Sequence, residues 1–208
     1  MTFTGFVTED FQTFCIDGLD QRMEAIKENI QPKFREIGGI LSNELSVLTG
    51  NEMFLHIAKH ARRTVNPPKD TWLAICHDKR GYKKHPHFQV GLFDDHVFIW
   101  LAYIYELPNK ADMAEKFLKQ SSDMYKKIPK DFVISQDHMK KDSLAMNNLS
   151  ENEFVEVINR FKNVKKAEFL VGKQIPANDP LLSNGEEFLD LVKETYETLL
   201  PIYKLSLR

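Results

Sequence analysis

Residues 53–106 concentrate the side chains with the most chemical potential. Six of the seven histidines lie there: His56, His60, His77, His85, His87 and His96. Between His56 and His87 stand eight basic residues, Lys59, Arg62, Arg63, Lys69, Lys79, Arg80, Lys83 and Lys84, against two acids, Asp70 and Asp78. That is a net +6 with neutral imidazoles, in a chain whose total is −2, so the remainder carries −8. A near-neutral sum thus conceals an asymmetric distribution, which speaks to the sign of a partner. The bland alternative is a set of solvated loops in which lysine and arginine are ordinary.

Several chemistries are open to these residues. Arg62, Arg63, Lys79, Arg80, Lys83 and Lys84 suit an anion, because guanidinium groups offer planar forks of donors to phosphate. Tyr82 stands among them for stacking, as in proteins that neutralise a nucleic-acid backbone and stack a base. His60, His85 and His87 complete the candidate ligand-binding set, and any of them can act as general acid in phosphoryl chemistry. Facing imidazoles such as His85 and His87 also suit a first-row metal. No carboxylate alternates with them and the surrounding positive charge repels a cation, so no metal is assigned. Cys76 and His77 are adjacent, which puts them on opposite faces of a strand and makes them a poor nucleophile–base pair. Cys15 is expected in the core. RNA-recognition, KH and zinc-knuckle patterns are absent, as are P-loop and dinucleotide-binding glycine patterns, and the residues leave any cofactor unknown. A basic face that docks an acidic protein, even a second copy of this chain, is a further class.

The elements that must position these groups follow from periodicity. A short capped helix is expected after Thr8, then a helix through Leu19, Met23, Ile26 and Ile30 that ends at Gln31-Pro32. A second helix carries Phe34, Ile37, Leu41, Leu45 and Leu48, with a kink or break at Gly38-Gly39. Residues 53–59 and 71–76 read as an antiparallel pair joined by the loop HARRTVNPPKD, which its two prolines stiffen. Residues 88–93 and 96–105 read as a hairpin around Asp94-Asp95, with Gly91 opposite Phe98 and Gln89 opposite Trp100. In that register His85, His87 and Gln89 share one face, and Phe88, Val90 and Leu92 the other. The second strand is apolar on both faces, as in a covered central strand. Met113, Phe117, Met124 and Ile128 mark one helix. Residues 132–135 and 167–173 read as strands, Ser150 with Glu153 as a capping box opening a helix, and 185–200 as a last helix that Pro201 ends or kinks.

Composition bounds the rest. With 42% apolar and 28% charged residues, the chain reads as a soluble globular protein. Fifteen phenylalanines point to an aromatic interior. There is no apolar run of about 18 residues to span a membrane and no secretion signal. Two cysteines make no disulfide framework, so reduced thiols in a cytoplasm are expected. The predicted fold is α+β: one domain over 1–208, with a mainly antiparallel sheet of about six strands packed against N-terminal and C-terminal helices.

The blocks DFQTF, DGLDQRMEAIKENIQPKF, HIAKHARRTVNPPKDTW and KRGYKKHPHFQVGLF resemble the YktB-like family of uncharacterised proteins from low-GC Gram-positive bacteria, over nearly the whole chain. The resemblance implies a compact cytoplasmic α/β-type domain and transfers no reaction, cofactor or catalytic residue. The reading of the residues is therefore a binding protein for an anionic ligand (nucleotide, phosphometabolite or nucleic acid) using loops around residues 60–87. A phosphoryl- or phosphodiester-acting enzyme and a protein-interaction module are the alternatives.

Overall fold

The computed structural model describes residues 3–207. It begins with α1 (Thr8–Gln12), whose Asp10 carboxylate accepts the Val7 N–H at 2.8 Å, and a tight turn at Thr13–Cys15. Thr13 and Phe14 turn inward there and Cys15 is exposed, which corrects the expectation of a core thiol. Helix α2 (Leu19–Ala25) passes through a π-helical turn, Ile26–Ile30, into α3 (Gln31–Thr49). Pro32 therefore does not end the helix. A proline lacks the N–H for an interior bond and crowds the carbonyl four residues back, and a widened turn just before it relieves both problems. Nor does α3 break at Gly38-Gly39. A Cβ on Gly38 would run into the Leu55 side chain, so this glycine is needed for close packing of helix on strand.

Strands β1 (Phe54–Ile57), β2 (Thr71–Cys76), β3 (His87–Leu92), β4 (His96–Tyr103), β5 (Val133–Ser135), β6 (Leu144–Ala145) and β7 (Phe169–Pro176) form one open sheet in the order β1-β2-β3-β4-β7-β5-β6. Every ladder is antiparallel. The hairpin register is as expected, Gly91 opposite Phe98 and Gln89 opposite Trp100, and the Phe93 N–H donates to the His96 carbonyl at 2.9 Å across Asp94-Asp95. The strand beyond the expected number is β6, whose two residues are too short to show a period.

The expected helix over Met113–Ile128 is two, α4 (Lys110–Lys119) and α5 (Ser121–Lys127), separated at Gln120 with φ −121° and ψ 21°. Helix α6 (Glu151–Asn163) opens with the Ser150–Glu153 capping box. Helix α7 (Gly185–Leu207) continues past Pro201, burying Ile202, Tyr203 and Leu205 beyond it. That burial is what holds the last turns in place against the missing proline N–H.

Strand alternation divides the sheet into two unlike faces. Leu73, Ile75, Phe88, Val90, Ile99, Leu101, Tyr103 and Phe169 face the helices and pack with Phe34, Phe117, Phe161 and Tyr196 in the main core. Phe88 meets Tyr196 at 4.7 Å between ring centroids, and Tyr103 meets Phe117 at 5.1 Å. The opposite face carries Trp72, Ala74, Phe98, Trp100, Ala102 and Leu170, packed with Ala58, Ile104 and Tyr82. No helical residue joins this second cluster among the described residues. Loops cover it, and the candidate chemistry lies in those loops.

Candidate functional site

Trp72 and Tyr82 form the base of a cavity of about 520 Å³ on the helix-free face, joined by a hydrogen bond from Trp72 Nε1 to Tyr82 Oη at 3.0 Å. Four segments wall it: Ala58–Arg63 after β1, Tyr82 and Lys83 between β2 and β3, Ile104–Glu106 after β4, and His138 with Met139 between β5 and β6. A shallower hollow of about 750 Å³ adjoins it, sharing Lys59, Arg62, Tyr82, Lys83 and Glu106 and adding Arg80, Lys84 and His85. Both volumes suit a small ligand. A separate hollow of about 600 Å³ between α5 and α7 contains no histidine or arginine.

The structure brings most of the sequence-predicted site together. Arg62, Tyr82 and Lys83 line both hollows, and His60 and Arg63 line the inner one. Arg80, Lys84 and His85 line the outer one, where His85 Nε2 lies 3.1 Å from Asp78 Oδ2. Lys83 Nζ is 3.6 Å from Glu106, the one carboxylate lining both hollows. Lys79 stands apart, with Nζ 6.0 Å from the Phe54 ring and no place in either wall. His87 is fully buried beneath Tyr82, with ring centroids 4.9 Å apart. Its Nδ1 donates to the His85 carbonyl at 2.7 Å and its Nε2 accepts from Gln89 at 2.8 Å, which fixes the neutral tautomer. Burial holds its pKa down at about 3. His87 thus meets the site from below, as support for Tyr82.

His60 sits at φ +49°, in the left-handed region that a side chain seldom adopts, and its carbonyl accepts the Arg63 N–H at 3.0 Å. The turn sets Arg62 and Arg63 on the cavity wall. His60 Nε2 is 3.1 Å from Thr71 Oγ1. Burial, and then the charge of Arg63, lower its pKa to about 4. The loop is tied down at its far end, where Arg22 Nη1 donates to the Pro68 carbonyl at 2.9 Å.

Sequence reasoning missed the other half of the site. His138, the one histidine outside residues 53–106, reaches back across the sheet face to stand 5.9 Å from Trp72. Its Nδ1 donates to the Glu168 carboxylate at 2.8 and 2.9 Å, and its backbone N–H to the same group at 2.7 Å. Glu168 is 2% exposed and also accepts the Tyr105 N–H at 3.2 Å. Burial pulls the His138 pKa down, but the Glu168 hydrogen bond and charge, aided by Asp70 and Asp137, outweigh it and leave the pKa raised. Asp70 was visible only as one acid among many bases. It is 1% exposed, its Oδ2 has no hydrogen-bond partner, and burial lifts its pKa to about 6 against the opposing charges of His138 and Arg63. The only advance sign of Trp72 was its place in an expected strand. No local pattern could have linked His138 and Glu168 to His60, because strand order alone brings them together.

Asp137, His138 and Glu168 place donor atoms within 4.8 Å of one another, a spacing that a metal ion accepts. Here Glu168 is occupied by its three N–H donors and Asp137 Oδ1 accepts the Met139 N–H at 3.0 Å. The set is closed by protein hydrogen bonds, and we read it as a histidine–carboxylate pair.

The fold is an open-sheet α+β arrangement with a loop-built cavity on its helix-free face, lined by Lys59, Arg62, Arg63, Lys83 and Glu106 over Trp72 and Tyr82. The chain belongs to the family described as a domain of unknown function (DUF1054), whose model matches residues 6–203. It is 56% identical over 207 residues to a UPF0637 protein of Shouchella clausii, covering 100% of this chain and 97% of the relative. It is likewise 56% identical over 203 residues to one of Oceanobacillus iheyensis (98% and 97% covered), and 50% identical over 208 residues to one of Listeria monocytogenes, covering all of both. These relatives agree with the resemblance to a YktB-like family of low-GC Gram-positive bacteria. No described helix is long and apolar enough to cross a membrane.

Proposed function

We propose that this chain binds a small anionic ligand with a planar ring, a nucleotide or similar phosphometabolite, in the cavity above Trp72 and Tyr82. The observation that carries the reading is convergence: Lys59, Arg62, Arg63 and Lys83, from two loops, line one cavity with an aromatic base. Cations hold phosphate through charge-assisted hydrogen bonds, and a flat aromatic surface accepts a base or sugar face. The inner volume suits one nucleotide, while Arg80 and Lys84 in the adjoining hollow extend the basic surface toward a second phosphate. A reduced, cytoplasmic setting fits this ligand class, as does a single domain over residues 1–208.

Calorimetric titration with AMP, ribose 5-phosphate, inorganic phosphate and a short oligonucleotide tests the reading. AMP should bind more tightly than phosphate alone, and the Arg62→Ala/Arg63→Ala double variant should bind it at least about tenfold more weakly, as expected for the loss of one charged hydrogen bond. An unchanged affinity in that variant removes the cavity as the site. Preference for the oligonucleotide over AMP would shift the reading to nucleic acid along both hollows.

A further inference from the structure

His60 and His138 line the same cavity from different loops, each against the Trp72 ring at 5.5 and 5.9 Å between centroids. Each has one ring nitrogen engaged by the protein. His60 Nε2 meets Thr71 Oγ1, which leaves Nδ1; His138 Nδ1 meets Glu168, which leaves Nε2. Arg62 and Lys83 lie where the inner cavity joins the outer hollow, so a phosphate held there has room for a substituent on either side. A phosphorus bearing two substituents is a phosphodiester.

We propose, building on the anion-binding reading, that this cavity hydrolyses a phosphodiester with His60 as general base and His138 as general acid. Water attacks phosphorus and gives a proton to His60 Nδ1. The bond from phosphorus to the leaving oxygen breaks, and that oxygen takes the His138 Nε2 proton. One water is consumed, a phosphomonoester and an alcohol are formed, and the histidines restore their protons by exchange with solvent. Arg62, Arg63 and Lys83 hold the phosphoryl oxygens.

The surroundings prepare this division. Burial and Arg63 hold the His60 pKa down at about 4, whereas Glu168, with Asp70 and Asp137, outweighs burial and raises that of His138. Environments that drive two titrating groups apart assign acid and base. An arriving phosphate counters the Arg63 charge and strengthens His60 as a base. The left-handed backbone at His60 is the kind of local strain that functional sites retain.

Two substrates separate the roles. Bis(p-nitrophenyl) phosphate releases a phenolate that leaves without protonation, and dithymidine monophosphate releases an alkoxide that does not. The native protein should cleave both. His60→Ala should slow both by about 10²–10⁴-fold, whereas His138→Ala should slow the dinucleotide by that factor and the p-nitrophenyl ester only a few-fold. His138→Gln retains bulk and a donor to Glu168 but has no acidic proton, and should show the same selective loss if His138→Ala misfolds. Cleavage of neither substrate by the native protein, or equal losses on both in the His138 variants, overturns the proposal. AMP binding measured on the same samples keeps the readings distinct: binding without cleavage removes the catalysis alone, and absence of both removes the site.

Discussion

Asp70 and His87 are both buried on the loop-covered face and give the protein pH dependences of opposite sign. The Asp70 pKa of about 6 lies above its ordinary 3.8, so the folded chain binds its proton more tightly than the unfolded chain. Its contribution is fully present below pH 3.8 and is lost as the pH rises through 6, by up to about 3 kcal/mol at neutrality. Asp70→Asn should therefore be more stable than the native protein at pH 8, with the gap closing toward pH 3.5. Urea denaturation at several pH values checks this, and a gap independent of pH would refute the burial argument. His87 behaves in reverse. With a folded pKa of about 3 against an ordinary 6.5, it favours folding above pH 6.5 and costs stability as the pH falls. His87→Leu, which strands Gln89, should be less stable at pH 7 yet lose about 1.4 kcal/mol less per pH unit between pH 6 and 4. Equal acid slopes would count against His87. Sequence marked both residues as polar and could not show their depth, because burial depends on which loop closes over which face.

At the scale of elements, Gly38 and Gly39 separate two meanings of a glycine pair. The sequence suggests a helix break, since two glycines weaken a helix interior. The structure assigns them different work. Gly38 meets Leu55 of β1, whereas a Cβ on Gly39 finds nothing within 4 Å and the residue is exposed. Gly39→Ala should stabilise by about 0.5–1 kcal/mol through helix propensity, and Gly38→Ala should destabilise by about 1–3 kcal/mol through crowding. Chemical denaturation of the two variants checks the contrast; equal shifts would mean that Leu55 yields freely. The same comparison shows what periodicity carries. Alternation and the Asp94-Asp95 turn made the β3–β4 register legible to the residue. The break at Gln120 and the continuation past Pro201 were not legible, because the apolar spacing runs through the first and the burial of Tyr203 and Leu205 outweighs the second.

At the scale of the molecule, the sheet has one face under helices and one under loops, and stability should divide along that line. Strands β2, β3 and β4 are buried along their whole length between the two apolar clusters. The loops at 58–70, 77–86 and 136–143 are joined to the sheet by a few side-chain bonds, such as His60 to Thr71, Tyr82 to Trp72 and His138 to Glu168. Sequence foresaw that β4 is covered on both faces, but an apolar pattern does not say by what. It also located the basic loops without their partner, since His138 reaches them only because β7 inserts between β4 and β5. Amides in the loops open locally at low cost, and those in the central strands only with global unfolding. Hydrogen exchange should therefore be slowest in β3 and β4 and fast in the three loops. AMP at about 100 times its dissociation constant would stabilise the bound state by roughly 2.7 kcal/mol. Because the cavity draws on all three loops, that stabilisation should slow exchange in 136–143 together with the two basic loops, and should fade at high salt as the lysines and arginines are screened. Protection confined to 58–70 and 77–86 would leave a basic surface patch in which His138 and Glu168 take no part.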